Sequence, residues 1–365
     1  MSDYVMLLAP SANHVYAEQA AQLATAELAV TAPGATDVRP TSLAGVDYLA
    51  FSHDSLPATQ LSAQSNALAL FELAPGNLLG PIELPHTDVM DSDLVTIPKY
   101  RGKTNELFTR LLTHVTISQI THSPSAQPQP GNTQLNILDP LAGRGTTLLT
   151  AWTCGHNAFG VEIDEKAFEQ FAGFMKTYLR RKRLKHSADV APVRREGKLV
   201  GRRFDATAQP GVATHGHDAV VGADELSMTV FTGDTRDSAK LFGKRKFDAI
   251  ITDAPYGVVH GASDSPTPRG KGQRKTANTG DRGHGGRDRS PAALLRQAIP
   301  IWAGQLRSGG ALGVAWNTYG LDRDELAAIC AGAGLTVRNE GPWLDFAHRV
   351  DSSIKRDLMV AVNNG

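Results

Sequence analysis

The second half of the chain alternates short apolar runs with segments of helical periodicity. The runs read LNILDP, AFGVEID, MTVFTGD, FDAIITDAPY and ALGVAWN, and helical segments such as EKAFEQFAGFMKTYLRRKR lie between them. Apolar strands that alternate with helices predict a mostly parallel sheet covered on both faces. The last two runs, LTVRNEG and RDLMVAVN, have no helix between them and predict an antiparallel hairpin at the sheet edge.

The first part of the chain predicts a smaller α/β unit. YVMLLAP and VDYLAFS are typical of strands, whereas the Ala-rich stretch 16–30 and the stretch ATQLSAQSNALALFEL favour helices. A Pro-containing crossing segment follows, and then a predicted helix from Thr104 to about Ile120, with Thr104 as its N-cap. We therefore expect an accessory domain at 1–96 and a main domain at 97–365.

Two inserts interrupt the main domain. Residues 181–226 separate its second helix from its third strand, and residues 258–290 follow its fourth strand. The second insert is rich in Gly, Arg, Pro, Ser and Thr and cannot bury enough apolar surface to offset its chain entropy. We expect 258–290 to be a mobile insert, of a kind that is usually functional or disordered.

A net charge of zero conceals an uneven charge distribution. Residues 1–96 carry one basic and eleven acidic side chains, whereas residues 97–365 carry 36 basic and 26 acidic ones. This split suggests that one part of the protein meets a polyanion, an unevenly charged solvated surface being the alternative. The chain has two cysteines, no apolar run of membrane-spanning length and no basic region before its first short apolar run. These features predict a reducing, cytoplasmic location and no membrane partner.

The stretch ILDPLAGRGTTLL combines a strand, a carboxylate, a Gly-x-Gly turn and a helix start. Gly143 and Gly145 allow the backbone to approach a ligand closely. A dinucleotide site would need a third glycine where Leu148 stands. Asp139 suits a ligand with an ammonium group, and Glu162, at the end of the next strand, can accept hydrogen bonds from both ribose hydroxyls. A nucleoside joined to an amino acid is S-adenosylmethionine, which we predict as the cofactor; a purely structural turn is the alternative.

Asp234, in the run FTGDT, follows another strand at the edge where open α/β sheets bind ligands. Its carboxylate could accept a hydrogen bond from the adenine amino group, and a helix N-cap is the alternative role. The residues that we predict to bind the cofactor are Asp139, Pro140, Ala142, Gly143, Gly145, Thr146, Thr147, Glu162, Ile163, Asp234 and Thr235.

The stretch TDAPYG ends the fourth strand with a carboxylate, a proline and an aromatic ring. An exocyclic base amine is a poor nucleophile, because its lone pair is delocalised into the ring. Two acceptors can hold its hydrogens and direct the lone pair at an electrophile. The carboxylate of Asp253 and the carbonyl of Ala254 form such a pair, Pro255 keeps Ala254 extended, and Tyr256 could stack on an extruded base. A plain strand-ending turn is the alternative.

These residues resemble the class I methyltransferases that modify exocyclic amino groups of nucleobases. Their motif reads Asp/Asn-Pro-Pro-Tyr/Phe, and here it reads Asp253-Ala254-Pro255-Tyr256, with alanine in place of the first proline. The order of YRGKTNELFTRLL, the glycine turn, this motif and the closing FAHRVDSSIKRDLMVAV is similar to that of the tRNA guanine-N2 methyltransferases. The resemblance covers about residues 100–363. It implies a Rossmann-like, seven-stranded, mostly parallel sheet with a terminal antiparallel hairpin.

The resemblance also implies an activity. We expect S-adenosylmethionine-dependent methylation of an exocyclic base amine, with guanine-N2 of tRNA as the first choice, Asp253, Ala254, Pro255 and Tyr256 as catalytic residues, and no covalent enzyme intermediate. A DNA adenine-N6 or cytosine-N4 methyltransferase is the main alternative. A protein or small-molecule methyltransferase is another, as is a catalytically silent RNA-binding protein, although the intact Asp253 and Tyr256 argue against the silent form.

Basic side chains cluster in two segments that we expect to flank the catalytic crevice. Residues 166–203 hold twelve basic and three acidic side chains, and residues 258–290 hold seven and three. Neutralising phosphates supplies affinity without reading sequence, so these segments predict a nucleic acid partner, with solvated surface as the alternative. The predicted contacts are Arg180, Arg181, Lys182, Arg183, Lys185, Arg269 and Lys271. His260 and His284 are scattered, and we assign no metal.

Overall fold

The structure is a computed structural model that describes residues 2–56, 58–100, 102–121, 134–195, 197–210, 224–256 and 291–365. The insert 258–290, with the predicted contacts Arg269 and Lys271, lies outside the described residues.

The chain begins with a five-stranded antiparallel sheet. Its strands are β1 Ser2–Leu8, β2 Thr36–Leu43, β3 Val46–His53, β4 Ala67–Ala74 and β5 Leu78–Ile82. Three helices accompany them: α1 His14–Ala17, α2 Ala20–Thr31 and α3 Ala58–Ser62. The strand order is β2-β3-β1-β4-β5, so the first strand lies at the centre of the sheet.

One predicted helix in this unit is wrong. Within ATQLSAQSNALALFEL, α3 covers five residues and the second half is strand β4. Neighbouring side chains of β4 point to opposite faces: Leu70 packs in the core with α2, whereas Phe71 joins the cluster of Val5 and Tyr48 on the other face. This period of two is that of a strand, and pairing with β1 decides it against the local helix propensity.

The other described residues form a ten-stranded sheet with helices on both faces. The strands are β6 Asn136–Asp139, β7 Asn157–Glu162, β8 His186–Arg195, β9 Lys198–Ala208, β10 Leu226–Thr232, β11 Phe247–Asp253, β12 Leu306–Asn317, β13 Thr336–Arg338, β14 His348–Arg349 and β15 Lys355–Val362. The helices are α4 Asp93–Thr96, α5 Glu106–Ile117, α6 Thr146–Thr153, α7 Glu165–Arg181, α8 Ser238–Phe242, α9 Pro291–Ala303 and α10 Arg323–Gly332, with 3-10 turns at Thr235–Asp237 and Gly341–Leu344. None of the helices in the described part of the chain has both the length and the apolar composition that crossing a bilayer requires.

The sheet order is β13-β15-β12-β11-β6-β7-β10-β9-β8, and β14 also pairs with β15. The five strands from β12 to β10 are parallel, and β15 is antiparallel to both β12 and β13. The predicted class I methyltransferase fold is therefore confirmed. The sheet exceeds seven strands because β14 and the hairpin β8–β9 extend it. Since the chain winds outward in opposite directions from β6 and β11, a crevice opens at their carboxyl ends.

Three expected boundaries differ from the structure. The predicted insert 181–226 contains the hairpin β8–β9, and the strand predicted at ALGVAWN begins five residues earlier, at Leu306, as β12. The N-cap of α5 is Asn105 rather than Thr104: its Oδ1 accepts hydrogen bonds from the Leu107 and Phe108 amides at 2.9 and 3.1 Å. Thr104 is therefore available for another contact.

Helix α2 packs against both parts of the protein. Ala24 and Leu28 lie in the core of the first sheet, whereas Leu23 packs in the same cluster as Leu111 of α5. Between these faces Glu27 is fully buried and lies 2.8 Å from Nδ1 of His114 on α5. The boundary at residue 96 stays a prediction, but the two sheets share packed side chains across it.

Candidate active site

The glycine turn and the TDAPYG motif line the same cavity, which has a volume of about 600 Å³ and lies at the carboxyl edge of the large sheet. That volume is within the range of small-molecule sites. The turn and the ends of β7 and β10 contribute Pro140, Gly143, Glu162, Ile163, Asp234 and Thr235. The second motif contributes Asp253 and Pro255. The two motifs meet because β6 and β11 are hydrogen-bonded neighbours.

The two glycines of the turn are required for different reasons. Gly145 has a φ of 83°, and a Cβ there would lie 2.3 Å from the ring of Phe171. Gly143 has a φ of 54° and open space around a Cβ, which suits a backbone that a ligand approaches. A dinucleotide site has a glycine where this chain has Leu148, and here the small residue lies on the facing strand instead. A Cβ at Gly160 of β7 would lie 2.9 Å from Leu148, so glycine at 160 makes room for the leucine side chain.

Glu162 is held by backbone donors beside the cavity. Its Oε2 accepts from the Gly143 amide and its Oε1 from the Asp164 amide, both at 2.6 Å. The residue is only 8% exposed, and burial raises the pKa of its carboxyl group. An ionised carboxylate has about four acceptor positions, so two amides leave room for a ligand diol.

Asp139 lies behind the cavity wall rather than on it. Its Oδ1 accepts from the Thr252 hydroxyl at 2.8 Å and from the Leu141 amide at 3.1 Å. Burial raises the pKa of Asp139 to about 7. Asp139 thus ties the end of β6 to the end of β11, and the structure does not place its side chain among the cavity-lining residues.

Behind the glycine turn lie the other predicted cofactor residues. Ala142, Thr146 and Thr147 are all buried. The Thr146 hydroxyl lies 2.9 Å from that of Tyr100, and the guanidinium of Arg144 lies 4.6 Å from the centre of the Tyr100 ring. Tyr100 and Arg144 were not predicted, although Tyr100 begins the stretch that carries the family resemblance.

Asp234 caps the 3-10 turn that follows β10. Its Oδ1 accepts from the Arg236 amide at 2.8 Å, and the Arg236 guanidinium binds both carboxylate oxygens. This pairing lowers the pKa of Asp234. Asp234 therefore caps the turn and also lines the cavity. Thr235 is buried and accepts a hydrogen bond from the Trp302 indole at 3.0 Å.

Asp253 is surrounded by three donors, one from its own motif and two from distant parts of the chain. Its Oδ2 accepts from the Thr104 hydroxyl at 2.6 Å, and the Tyr256 hydroxyl lies 2.6 Å from both carboxylate oxygens. Nη2 of Arg356, a residue that is 4% exposed, lies 3.5 Å from Oδ2. Burial and the neighbouring Asp253 raise the pKa of Tyr256, so it is a neutral donor at neutral pH.

Sequence reasoning missed Thr104 and Arg356. Thr104 was assigned to the cap that Asn105 provides, and Arg356 lies more than one hundred residues beyond Asp253. A signal for Arg356 existed: it is a charged residue near the start of a strand whose positions 358–362 are all buried and apolar. The ring of Phe108 covers it at 4.6 Å.

The predicted nucleic acid contacts at 180–185 lie away from the cavity. Helix α7 begins beside Glu162 and spans 17 residues, about 25 Å, towards the opposite edge of the sheet. Arg180, Arg181, Arg183 and Lys185 are exposed at that edge. Lys182 there lies 2.7 Å from both Asp91 and Asp93, so acidic groups of the accessory segment already neutralise it.

No family model and no curated protein matches the chain. Among solved structures, TrmN from Thermus thermophilus is 11% identical with a TM-score of 0.42, each chain being covered completely. Precorrin-6y C5,15-methyltransferase from Geobacter metallireducens is 11% identical with a TM-score of 0.37, over 76% of this chain and 98% of that one. A TehB-like SAM-dependent methyltransferase from Corynebacterium glutamicum is 12% identical with a TM-score of 0.32, over 64% and 81%. At these values the likeness says nothing about the substrate of this chain.

Proposed function

We propose that the protein transfers a methyl group from S-adenosylmethionine to an exocyclic amino group of a nucleobase. One observation carries the proposal: Asp253 lines the same cavity as Gly143 and Glu162. A carboxylate that can hold an amine therefore faces a turn and an acceptor group that can hold a nucleoside. Guanine-N2 in tRNA is the specific substrate that we propose, on the resemblance of the two motifs.

The cavity residues fit the cofactor. S-adenosylmethionine supplies an electrophilic methyl group at a sulfonium centre. Glu162 has acceptor positions for the ribose hydroxyls, and Gly143 presents backbone without a side chain. Ile163 is 70% exposed and offers an apolar surface for the adenine ring. Asp139 would not contact the cofactor directly. It fixes the ends of β6 and β11 relative to each other through its hydrogen bond with Thr252.

The residues around Asp253 would orient the base. Its side chain is 16% exposed, and the Thr104 hydroxyl and the Arg356 guanidinium hold Oδ2 on the buried side. The amine of the base would take over the hydrogen bond that the Tyr256 hydroxyl now makes to Oδ1, and the Ala254 carbonyl would accept the second amine hydrogen. Oδ1 of Asp253 is then the atom placed to receive the proton that the amine loses. The displaced Tyr256 ring would stack on the base.

Incubation with labelled S-adenosylmethionine and total tRNA, ribosomal RNA or DNA, followed by mass analysis of the nucleosides, tests the proposal. Methylated guanosine in tRNA is the expected product. Methyladenine or N4-methylcytosine in DNA would show that the substrate is DNA rather than tRNA, while methyl transfer to an exocyclic base amine would be retained. Methylation of protein or of small molecules alone would overturn both.

The variant Asp253→Ala tests the role of the acceptor. We expect turnover to fall at least 100-fold while calorimetric binding of the cofactor persists. Asp351→Ala, at an exposed surface aspartate, is the matched control and should turn over normally. Normal methylation by Asp253→Ala would remove the acceptor role.

A further inference from the structure

We infer that the tip of the β8–β9 hairpin binds the phosphates of the substrate, so that the substrate is a polynucleotide rather than a free nucleoside. This inference rests on the proposed function. The tip is defined here as residues 193–194 and 198–202 and is called the hairpin arm.

The hairpin arm extends past the sheet on the side of the cavity. Strands β9 and β10 pair from Ala208 and Leu226 up to Arg203 and Phe231, so residues 198–202 continue beyond the last pair. Arg202 and Gly201 still contact Thr232, the last residue of β10, so the three residues 198–200 extend about 10 Å beyond that strand end. The arm therefore stands beside the ligand cavity and not behind it.

Close contacts fix the arm at its base. The Arg202 amide donates to the Thr232 hydroxyl at 2.8 Å, and a Cβ at Gly201 would lie 2.8 Å from the Thr232 carbonyl. Thr232 is the last residue of β10, directly before Gly233 and Asp234 of the cavity wall. The direction of the arm is thus set by the strand end that also forms the cavity.

The arm carries charge and apolar surface together. Arg194 and Lys198 are exposed, and the described residues of the arm include no acidic side chain. Leu199 is 61% exposed and Val200 is 47% exposed. Cationic groups next to exposed apolar side chains suit a flexible nucleic acid, whose phosphates are charged and whose sugars and bases are not.

The second basic cluster, at 180–185, is less suited to the same substrate. It lies at the opposite edge of the sheet, and Lys182 is neutralised by Asp91 and Asp93. Between the arm on β9 and Asp253 on β11 there are four strand spacings, about 19 Å. One strand of a duplex places about six phosphates in that distance, at about 3.4 Å each. A polynucleotide can bridge the arm and Asp253, whereas a free nucleotide cannot.

A pair of double variants of the full chain tests the inference. Arg194→Gln with Lys198→Gln removes two charges from the arm, and Arg180→Gln with Arg181→Gln removes two from the opposite edge. All four side chains are exposed, so we expect thermal melting of both variants to match that of the wild type. Binding of tRNA is then measured between about 50 and 200 mM salt, where phosphate contacts dominate the salt dependence.

We expect the arm variant to bind tRNA about tenfold more weakly, with the slope of log affinity against log salt reduced by about 1.5 to 2. The opposite-edge variant should stay within twofold of the wild type. Equal losses in both variants, or a loss in the opposite-edge variant alone, would overturn the inference. So would wild-type methylation of guanosine monophosphate as efficient as that of tRNA.

The same experiment separates this inference from the proposed function. If the wild type methylates tRNA and the arm variant binds tRNA normally, the inference about the hairpin arm is wrong and the proposed activity is retained. If the wild type methylates no nucleic acid and the arm variant still loses tRNA affinity, the arm is a nucleic acid contact and the proposed activity is wrong.

Discussion

The guanidinium of Arg356 donates a hydrogen bond to the hydroxyl of Tyr256 at 2.7 Å, across 100 positions of sequence. The same hydroxyl lies 2.6 Å from both oxygens of Asp253. Strand β15 therefore supplies a buried cation to the motif at the end of β11, two strands away in the sheet.

Tyr256→Phe separates the hydroxyl of Tyr256 from its ring. In the structure the Tyr256 hydroxyl donates a hydrogen bond to the Asp253 carboxylate, which the amine of the base has to reach. Removing the hydroxyl should therefore leave kcat/KM for tRNA within about threefold of the wild type. Tyr256→Ala removes the stacking surface and should raise KM roughly 10- to 100-fold, since base stacking contributes about 1–3 kcal/mol. Steady-state kinetics on the methylated substrate measure both. A phenylalanine variant as poor as the alanine one would show that the hydroxyl itself is needed.

Arg356→Gln removes the buried cation. The carboxylate of Asp253 would lose a charge partner in a buried site, and unfolding should become easier by about 3 kcal/mol. Turnover should fall as well, because the carboxylate of Asp253 is no longer held in one orientation. Arg356→Lys keeps the charge and should recover part of the stability but not the hydrogen bond from Nε. Chemical denaturation and kcat are the measurements, and equal stability of wild type and Arg356→Gln would contradict this account.

Gly145→Ala and Gly143→Ala differ in what the new methyl group meets. At Gly145 it would lie 2.3 Å from the Phe171 ring, whereas at Gly143 nothing lies within 4 Å. Both positions have positive φ, which costs about 1–2 kcal/mol for alanine. Gly145→Ala should therefore be the more destabilising variant by a further 1–3 kcal/mol. Denaturant unfolding measures this difference, and the opposite order would contradict the packing of Phe171 on the turn.

Asp139→Asn should change how stability depends on pH. Burial raises the folded pKa of Asp139 from 3.8 to about 7, so between these values the folded state keeps a proton that the unfolded state has lost. Wild-type stability thus contains a contribution that falls as pH rises from about 4 to about 7 and is constant above that. Relative to wild type, Asp139→Asn should gain up to about 4 kcal/mol across this window. The measurement is the unfolding free energy of wild type and variant at pH 4.5, 6 and 8. Contributions of the other titrating groups cancel in the difference between the two proteins. If the two free energies change with pH in parallel, the effect of Asp139 is ruled out.

Several features could be predicted because neighbouring residues encode them. Asp139, Glu162, Asp234 and Asp253 all lie at or just after the carboxyl ends of parallel strands, and parallel strands bring such ends to one edge. The cavity formed by two motifs over one hundred residues apart follows from that rule. The failure at ALALFEL has the opposite origin: its apolar content suits a helix or a strand, and pairing with β1 decides between them.

Periodicity and strand termini are local properties of the chain, so the order of the amino acids predicts the alternation of strands and helices, the positions of the two motifs and the residue types at the strand ends. The tertiary structure alone decided which distant side chains complete the site, such as Thr104 and Arg356 around Asp253. It also decided that, of two basic stretches close together in sequence, one lies beside the cavity and the other at the opposite edge. Strand β8, ten residues long, carries the chain about 33 Å from the end of α7 to the carboxyl edge of the sheet, and this separation in space cannot be read from charge along the chain.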